Sequence, residues 1–229
     1  MDERIPSGSK IMDFVLGGGY EKEVITTLFG PAGCGKTVIC MLCAASAARS
    51  GKKVIYVDTE NNFSLERLQQ IAAFDHGKIL QKIVFLRPTS FAEQQEMFEK
   101  LKGLVHKPIG LVVVDSLGSL YRLELGKGNG AYDINRQFGR QIAYLNEITR
   151  KKNIPVIVTN QVYADFEDKQ MVRMVGGDIL RYSSKCLIEL FNLPSGNRKA
   201  ILRKHRSIQA GKEFFFKIVS GGIIGTKEE

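Results

Sequence analysis

The sequence has no long apolar run, and this absence argues against a membrane-spanning helix. A transmembrane helix requires about 20 consecutive apolar residues, and no run in the 229 residues approaches that length. The first residues, Met1 to Arg4, also lack the apolar segment of a secretory signal peptide. We therefore expect a cytoplasmic protein without a membrane partner.

Cysteine is scarce, and its positions do not form a disulfide framework. The four cysteines are Cys34, Cys40, Cys43 and Cys186. Cys40 and Cys43 form a C-x-x-C pair, but the second pair that a zinc site needs is missing. The residues around them are apolar, and free cysteine packs as a small hydrophobic residue. The sequence therefore predicts buried thiols rather than a metal site.

Internal repeats, low-complexity tracts and long linkers rich in Pro or Ser are also missing. With 44% hydrophobic residues, the 229 residues suffice for one large α/β core, and a second full domain has little room. We expect residues 1–229 to form a single domain.

Acidic residues are outnumbered, and this imbalance favours an anionic partner. Asp and Glu total 24 against 33 Lys and Arg, which gives a net charge of +9. A net charge of this sign supports non-specific attraction to polyanions. The surplus is concentrated near the C-terminus, where residues 196–217 carry seven Lys and Arg residues and one acid.

One motif, at residues 30–37, predicts a nucleotide site. It reads G-P-A-G-C-G-K-T, which fits the G-x-x-x-x-G-K-[ST] phosphate loop, and it lies between a strand-like run and an Ala-rich helical stretch. Backbone N–H groups of such a loop face an anion, and the N-terminus of the next helix adds positive partial charge. The residues predicted to bind ATP are Gly30, Pro31, Ala32, Gly33, Cys34, Gly35, Lys36, Thr37 and Val38.

Regularly spaced apolar runs predict an α/β fold with a mostly parallel sheet. The five runs are Val24–Phe29, Val54–Val57, Ile83–Leu86, Leu111–Val114 and Val156–Val158. They are continuous rather than alternating, which is typical of parallel strands buried on both faces. Between them lie helical stretches that start near Lys36, Ser64, Ser90 and Ile134. Ser90 and Glu93 fit a capping box.

The pattern changes after residue 180 and predicts an antiparallel extension of the sheet. Segments 185–191, 198–205 and 213–219 have strand character, with turns at 193–197 and at Gly221-Gly222. We therefore expect a central sheet flanked by helices, with the ligand beyond the carboxyl ends of the parallel strands.

Polar residues follow three of the predicted strands. They would lie at the carboxyl ends of the parallel strands, and they indicate the chemistry that this edge of the sheet supports. Asp115 ends an apolar strand and would hold Mg²⁺ together with the hydroxyl of Thr37. Glu60 is the candidate that orients or deprotonates an attacking water, with an exposed loop acid as the alternative. Gln161 would contact the γ-phosphate and report its presence to the next loop. The predicted catalytic residues are thus Lys36, Glu60 and Gln161.

These motifs, in this order, resemble the RecA/RadA recombinase core. The phosphate loop is accompanied by I-M-D-F-V-L-G-G-G at 11–19, V-D-T-E at 57–60, L-V-V-V-D-S at 111–116 and T-N-Q-V at 159–162. G-G-D-I-L at 176–180 resembles the glycine pair that closes the second DNA-binding loop of that family. The resemblance covers nearly the whole chain, and it implies a RecA-like P-loop core that binds ATP, Mg²⁺ and DNA.

Departures from the family pattern restrict the function that this resemblance implies. RadA-type recombinases carry an N-terminal DNA-binding domain and a Phe-x-x-Ala linker that joins protomers. Here the sequence starts almost at the core, and its F-x-x-A match, residues 29–32, lies in the phosphate loop. Residues 161–175 have a net charge of −1, which disfavours contact with a phosphate backbone.

The sequence is therefore similar to a short archaeal paralogue within the family. That resemblance implies an accessory protein of recombination and repair that hydrolyses ATP slowly and does not exchange strands. Its implied partners are single-stranded or branched DNA, a Holliday-junction resolvase and the RadA-type recombinase, with a homodimer as a candidate assembly. The alternatives are a filament-forming strand-exchange recombinase and a KaiC-like signalling ATPase without a DNA role.

Residues 122–140, which include the glycine-rich segment 126–130, resemble the first DNA-binding loop of the family. Tyr121 and Tyr132 flank this segment, and aromatic stacking beside cations suits single-stranded nucleic acid. A core role for Tyr121 remains equally open, because it follows Leu117 and Leu120. The predicted DNA-binding residues are Arg122, Lys127, Arg136, Arg140 and, in the second loop, Arg173.

The cluster Arg203-Lys204-His205-Arg206 has three interpretations. In an extended strand alternate residues share a face, so Lys204 and Arg206 would point the same way. They could act in trans on the γ-phosphate bound by a neighbouring protomer, or they could hold DNA phosphates. Alternatively, the cluster protects an edge strand by its charge.

Overall fold

The computed structural model describes residues 4–106, 108–128, 130–164 and 172–227, and within these ranges the chain forms twelve strands and eight helices. The strands are β1 (Arg4–Ile5), β2 (Tyr20–Glu21), β3 (Ile25–Gly30), β4 (Lys53–Asp58), β5 (Ile83–Leu86), β6 (Ile109–Asp115), β7 (Val156–Ala164), β8 (Val172–Met174), β9 (Cys186–Asn192), β10 (Arg198–Lys204), β11 (Glu213–Val219) and β12 (Gly222–Thr226). The helices are α1 (Lys10–Val15), α2 (Lys36–Arg49), α3 (Leu65–Ile71), α4 (His76–Leu80), α5 (Phe91–Leu104), α6 (Ser119–Leu125), α7 (Ala131–Lys152) and α8 (Gly177–Ser183).

A large central sheet organises the described residues. Its strands run in the order β12-β11-β10-β9-β3-β7-β6-β4-β5, and β8 adds to β7 as an antiparallel partner. Every neighbouring pair from β9 to β5 is parallel, whereas the pairs from β9 to β12 are antiparallel. The predicted α/β fold, with a mostly parallel sheet and an antiparallel C-terminal extension, is confirmed.

Continuous apolar strands explain why both faces of this sheet are covered. Successive side chains of a strand point to opposite faces, and β4 follows that rule closely. Val54 and Tyr56 join the core that includes α2, while Ile55 and Val57 join the core formed with α5, α6 and α7. An apolar residue at every position therefore contributes to one core or the other.

The N-termini of α3 and α5 show how local sequence sets the helix boundaries. Ser64 Oγ accepts a hydrogen bond from Arg67 N at 3.0 Å, and Ser90 Oγ accepts one from Glu93 N at 3.2 Å. The return bond of the predicted capping box is displaced by one residue, because the Glu93 carboxylate accepts from the backbone N–H of Thr89 at 2.7 Å. Both serines satisfy N–H groups that the first helical turn leaves without partners.

The thiols of the C-x-x-C pair lie inside the core, as predicted. Cys40 and Cys43 are fully buried on α2, and burial raises the pKa of both thiols above the usual value. Among the described residues, no group of three or more His, Cys, Asp or Glu side chains could hold a metal ion. In that same part of the chain, no helix combines the length and the apolar character needed to cross a bilayer.

Several elements differ from the predictions, among them the segments around the glycine-rich loop 126–130 and the turn before β12. Helix α6 was not predicted, α7 begins at Ala131 rather than near Ile134, and Gly222 starts β12 instead of completing a turn. Tyr121, on α6, stacks on Phe138 with ring centroids 4.1 Å apart. It is buried, so the structure assigns Tyr121 to the core.

Truncation of two aromatic residues on α7, Phe138 and Tyr132, should have very different effects on stability. Phe138→Ala leaves a cavity beneath Tyr121 and should lower the free energy of unfolding by about 3–5 kcal/mol. Tyr132→Ala removes a side chain that is 79% exposed and should change the free energy of unfolding by less than about 0.5 kcal/mol. Urea unfolding followed by circular dichroism measures both, and equal losses would contradict the assigned packing.

Candidate nucleotide-binding site

The phosphate loop connects β3 to α2, and two of its glycines are required by the backbone. Gly35 is the N-cap of α2 with φ of 100°, a conformation that only glycine adopts readily. A Cβ atom at Gly30 would lie 2.2 Å from the carbonyl oxygen of Leu190. Because Gly35 has no side chain to cap the helix, the first N–H groups of α2 are free of a side-chain cap, as an anion site requires.

The Lys36 ammonium lies within the curve of the loop. Its Nζ donates hydrogen bonds to the carbonyl oxygens of Gly30, at 2.8 Å, and Pro31, at 2.7 Å. A Cβ atom at Gly33 would meet nothing within 4 Å, so this side of the loop is open. An ammonium, backbone N–H donors and open space together fit a polyphosphate.

Asp115 ends β6 and is brought to the start of α2. Its carboxylate accepts hydrogen bonds from Thr159 Oγ1 at 2.5 Å and from Tyr56 Oη at 3.0 Å, and it also bonds the Thr37 side chain. Burial raises the pKa of Asp115, and these hydrogen bonds oppose the rise. A hydroxyl and a buried carboxylate side by side are the oxygen ligands that Mg²⁺ prefers, so the predicted pair fits the ion.

Asp58 was given no role from the sequence, yet it shapes the turn that carries Glu60. It pairs with Asp115 in the register of β4 and β6 and is buried. Its two oxygens accept from the backbone N–H groups of Asn62, at 3.0 Å, and Phe63, at 3.3 Å. These bonds curl the chain after β4 so that Glu60 faces the ends of β6 and β7.

Glu60 is held by three side chains rather than exposed in a free loop. Oε1 accepts from Ser116 Oγ at 2.5 Å, and Oε2 accepts from Gln161 Nε2 at 3.0 Å and Asn62 Nδ2 at 3.1 Å. The structure therefore brings Glu60 and Gln161 together and adds Ser116 and Asn62, while the catalytic roles of Glu60 and Gln161 stay predictions. Motif order could have indicated Ser116, because it directly follows Asp115.

The end of β7 links this network to the segment beyond residue 171. Gln161 pairs with Gly30 in the β3–β7 register, which places it beside the phosphate loop. Asn160 Nδ2 donates to the carbonyl oxygen of Val175 at 2.6 Å, and Val175 N donates to that of Gln161 at 3.2 Å. The chain before and after residues 165–171 is thus fastened next to the nucleotide site.

The β9–β10 hairpin also contacts the loop, which the sequence did not indicate. Asn192 Nδ2 donates to the carbonyl oxygen of Ala32 at 3.0 Å, and Arg198 Nε donates to that of Gly33 at 3.2 Å. Both side chains lie at the base of the predicted turn at 193–197. The sequence contained no signal for these bonds, because they depend on the neighbouring positions of β3 and β9.

The residues predicted to bind DNA occupy α6, the loop after it and α7, and these two helices are in contact. All four described side chains, Arg122, Lys127, Arg136 and Arg140, are exposed. Lys127 forms an ion pair with Glu124 at 2.7 Å, and Arg136 forms one with Asp133 at 3.0 Å. The backbone of Arg173 pairs with Tyr163, whereas its side chain and residues 165–171 lie outside the described residues.

The expectation that Lys204 and Arg206 share a strand face is wrong. Strand β10 ends at Lys204, and its register with β9 shifts between Leu202 and Lys204. Lys204 Nζ donates to the carbonyl oxygen of Arg181 at 3.1 Å, whereas Arg206 Nε forms an ion pair with Glu21 at 2.6 Å. The two cations contact different elements because the extended backbone stops between them. Their action in trans stays a prediction.

Comparison with known proteins agrees with this geometry. The Rad51 family model matches residues 3–226. A DNA repair and recombination protein RadB from Methanobrevibacter smithii is 42% identical over 229 residues, covering 97% of this chain and 96% of that protein. The RadB protein of Methanococcoides burtonii is 37% identical over 221 residues, covering 96% and 97%.

A solved structure, described as the crystal structure of the RadB recombinase, superposes with a TM-score of 0.82. It is 36% identical and covers 96% of this chain and 98% of its own. The resemblance to the RecA/RadA core is thereby confirmed. These full-length matches, in sequence and in structure, show that the chain belongs to the Rad51 family, among the RadB-type DNA repair and recombination proteins.

Proposed function

We propose that the chain is an ATP-dependent, DNA-binding accessory protein of homologous recombination and repair. Membership of the Rad51 family implies nucleotide binding with Mg²⁺ and interaction with DNA. In this proposal ATP acts chiefly as a conformational ligand, hydrolysis is slow, and the protein does not exchange strands itself. It modulates a Holliday-junction resolvase or the RadA-type recombinase, alone or as a homodimer.

Different residues at the carboxyl edge of the sheet would bind different parts of the nucleotide. Lys36 and the N–H groups that begin α2 would bind the phosphates, and Thr37 with Asp115 would hold Mg²⁺. Bound ATP with Mg²⁺ supplies the phosphoryl group that is transferred to water. Arg198 and Asn192 keep the outer carbonyl groups of the loop in place.

The observation that carries the proposal is the hydrogen bonding of Glu60. A carboxylate offers about four lone-pair sites, and both oxygens of Glu60 already accept hydrogen bonds from Ser116, Asn62 and Gln161, with the Gln161 amide lying within 3.3 Å of both oxygens. A general base must have a free lone pair within reach of the water proton. Glu60 is well placed near the site but is already satisfied, which supports ATP retention over rapid turnover.

The same network would link the nucleotide site to the segment of the second DNA-binding loop. Gln161 bonds Glu60 and lies opposite Gly30 in the sheet, while Asn160 bonds the segment that ends in the Gly176-Gly177 pair. A change of partner by Gln161 would also act on its backbone bond with Val175, which directly precedes that glycine pair. This supports an order–disorder switch of the DNA-binding loop.

Lys36→Ala should weaken ATP binding and, with it, DNA binding. A hydrogen bond from a charged group contributes about 1.5–3 kcal/mol, which predicts a loss of ATP affinity of about 10- to 100-fold. Titration calorimetry with the non-hydrolysable analogue AMP-PNP and Mg²⁺ measures this loss. Lys78→Ala, which removes an exposed charge on α4, serves as the matched control.

The switch itself is tested by limited proteolysis and DNA binding of the same two variants. ATP should protect the wild-type chain and Lys78→Ala from protease and should strengthen their DNA binding, but should do neither for Lys36→Ala. DNA binding that is identical in all three proteins would overturn the switch. Strong DNA-stimulated ATP turnover with filament formation would favour a strand-exchange recombinase instead.

Ser116→Ala should raise the rate of ATP hydrolysis. The substitution removes one of the donors that occupy Glu60, and one hydrogen bond contributes about 1 kcal/mol, so we expect an increase of about fivefold in kcat. Glu60→Gln should abolish the remaining turnover. Ser119→Ala is the control, because Ser119 bonds Thr59 and does not contact Glu60. A fall in kcat in Ser116→Ala would show that the network assists Glu60 rather than restraining it.

A further inference from the structure

A pocket of about 480 Å³ lies between the C-terminal half of α7 and the end of α8. Its volume falls within the range of about 300–1,000 Å³ that small-molecule and cofactor sites occupy. We name it the α7–α8 cleft; its lining includes Glu147, Arg150, Lys151, Tyr182 and Lys185. None of these residues belongs to the nucleotide site or to the predicted DNA-binding loops.

The α7–α8 cleft lies at the amino edge of the parallel sheet. Helix α7 ends at Lys152, just before β7 begins, and Lys185 directly precedes β9. Lys185 N donates to the carbonyl oxygen of Ile25, the first residue of β3, at 3.1 Å. The phosphate loop follows the other end of β3, so the cleft and the nucleotide site lie on opposite edges of the sheet.

The cleft carries positive charge that its one lining acid does not neutralise. Glu147 forms ion pairs with Lys102 and, at 2.7 Å, with Lys151, and these two lysines lower the pKa of Glu147 to about 2. The charge of the Glu147 carboxylate is therefore already balanced by these two lysines. Among the described residues, no carboxylate lies within ion-pair distance of Arg150 or Lys185, which leaves their charges available to a ligand.

Two more cations adjoin the lining residues: Arg181 directly precedes Tyr182, and Lys204 contacts the backbone of Arg181. Lys204 Nζ donates to the carbonyl oxygen of Arg181 at 3.1 Å, which brings the end of β10 next to α8. Partial burial lowers the pKa of Lys204, and the charges of Lys185 and Arg181 lower it further. The Lys204 ammonium thus lies beside the last turn of α8, at the residue next in the chain to Tyr182.

The exposed ring of Tyr182 is the second notable feature. Tyr182 lines the cleft and is 71% exposed, in contrast to the buried Tyr121. The sheet core does not need this ring, because Leu180 is the buried residue of α8. A flat aromatic ring beside several cations is the combination that binds single-stranded nucleic acid, by stacking of bases and attraction of phosphates.

Helix electrostatics explains only part of this arrangement. Cations in the last turn of a helix interact favourably with its dipole, which accounts for Arg150 and Lys151 on α7 and for Arg181 on α8. Lys185 lies in no helix, and Lys204 ends a strand. Neither their convergence nor the exposure of Tyr182 follows from stabilisation of the helix ends.

We propose that the α7–α8 cleft is a second binding site for single-stranded DNA. One base stacks on Tyr182, and the neighbouring phosphates contact Arg150 and Lys185, with Arg181 and Lys204 adjoining these lining residues. The inference rests on the proposed DNA-binding function and extends it, because it places a strand on the edge of the sheet opposite the nucleotide. If the cleft instead bound an acidic peptide, substitution of these residues would leave DNA binding unchanged.

Fluorescence anisotropy with labelled oligo-dT, with AMP-PNP and Mg²⁺ present, tests the charged part of the proposal. The double variant Arg150→Ala/Lys185→Ala should reduce the slope of log affinity against log salt by about 1.4, since each phosphate contact on a single strand contributes about 0.7. Lys10→Ala/Lys78→Ala removes the same charge from α1 and α4 and should keep the wild-type slope. Thermal unfolding verifies that all variants fold.

Two substitutions of Tyr182 test the stacking. Tyr182→Ala should weaken oligo-dT binding about tenfold, and Tyr182→Phe should retain wild-type affinity because a phenyl ring also stacks. A loss in Tyr182→Phe equal to that in Tyr182→Ala would overturn the stacking.

Failure of this inference differs from failure of the proposed function. If the wild-type chain binds oligo-dT and the cleft variants match its affinity and salt slope, the α7–α8 cleft is not a DNA site, while the proposed function stands. If the wild-type chain does not bind at low salt, both are wrong.

Discussion

The register of the parallel strands is the constraint on which the nucleotide site depends. Asp58 is paired with Asp115 across β4 and β6, and Gly30 with Gln161 across β3 and β7. Because side chains alternate between faces, a slip of one residue would move Asp115 or Gln161 to the wrong side. The apolar residues that precede them resist such a slip, since every one is buried in a core on one face or the other. Hydrophobic packing thus fixes the position of the polar chemistry.

The carboxylates that this register brings together have different environments. Asp115 is buried and receives hydroxyl donors, which suits a metal ligand. Glu60 is half-buried and bonded by side chains from the ends of β6 and β7 and from its own turn. Two acids at one edge can therefore have separate roles, and their hydrogen-bond donors, rather than their distance from the loop alone, distinguish these roles.

Local patterns predicted the central fold and most of the nucleotide site. The phosphate loop, Asp115, Glu60 and Gln161 follow continuous apolar runs, and such runs predict parallel strands. Contacts between distant segments could not be predicted in the same way, because Ser116 bonds Glu60 across 56 residues and Arg198 bonds Gly33 across 165. The prediction that Lys204 and Arg206 share a strand face was wrong for a different reason. Alternation of side chains assumes that the strand continues, and β10 ends at Lys204.

The bonds from Asn192 and Arg198 to the phosphate loop have a consequence for the order of folding. The loop is made early in synthesis, but the hairpin that fastens its outer carbonyl groups comes from the last fifth of the chain. Contacts of such long sequence separation form slowly, because the intervening chain must be ordered first. The outer side of the phosphate loop is therefore held in place only after β9 has joined β3 and β10 has joined β9.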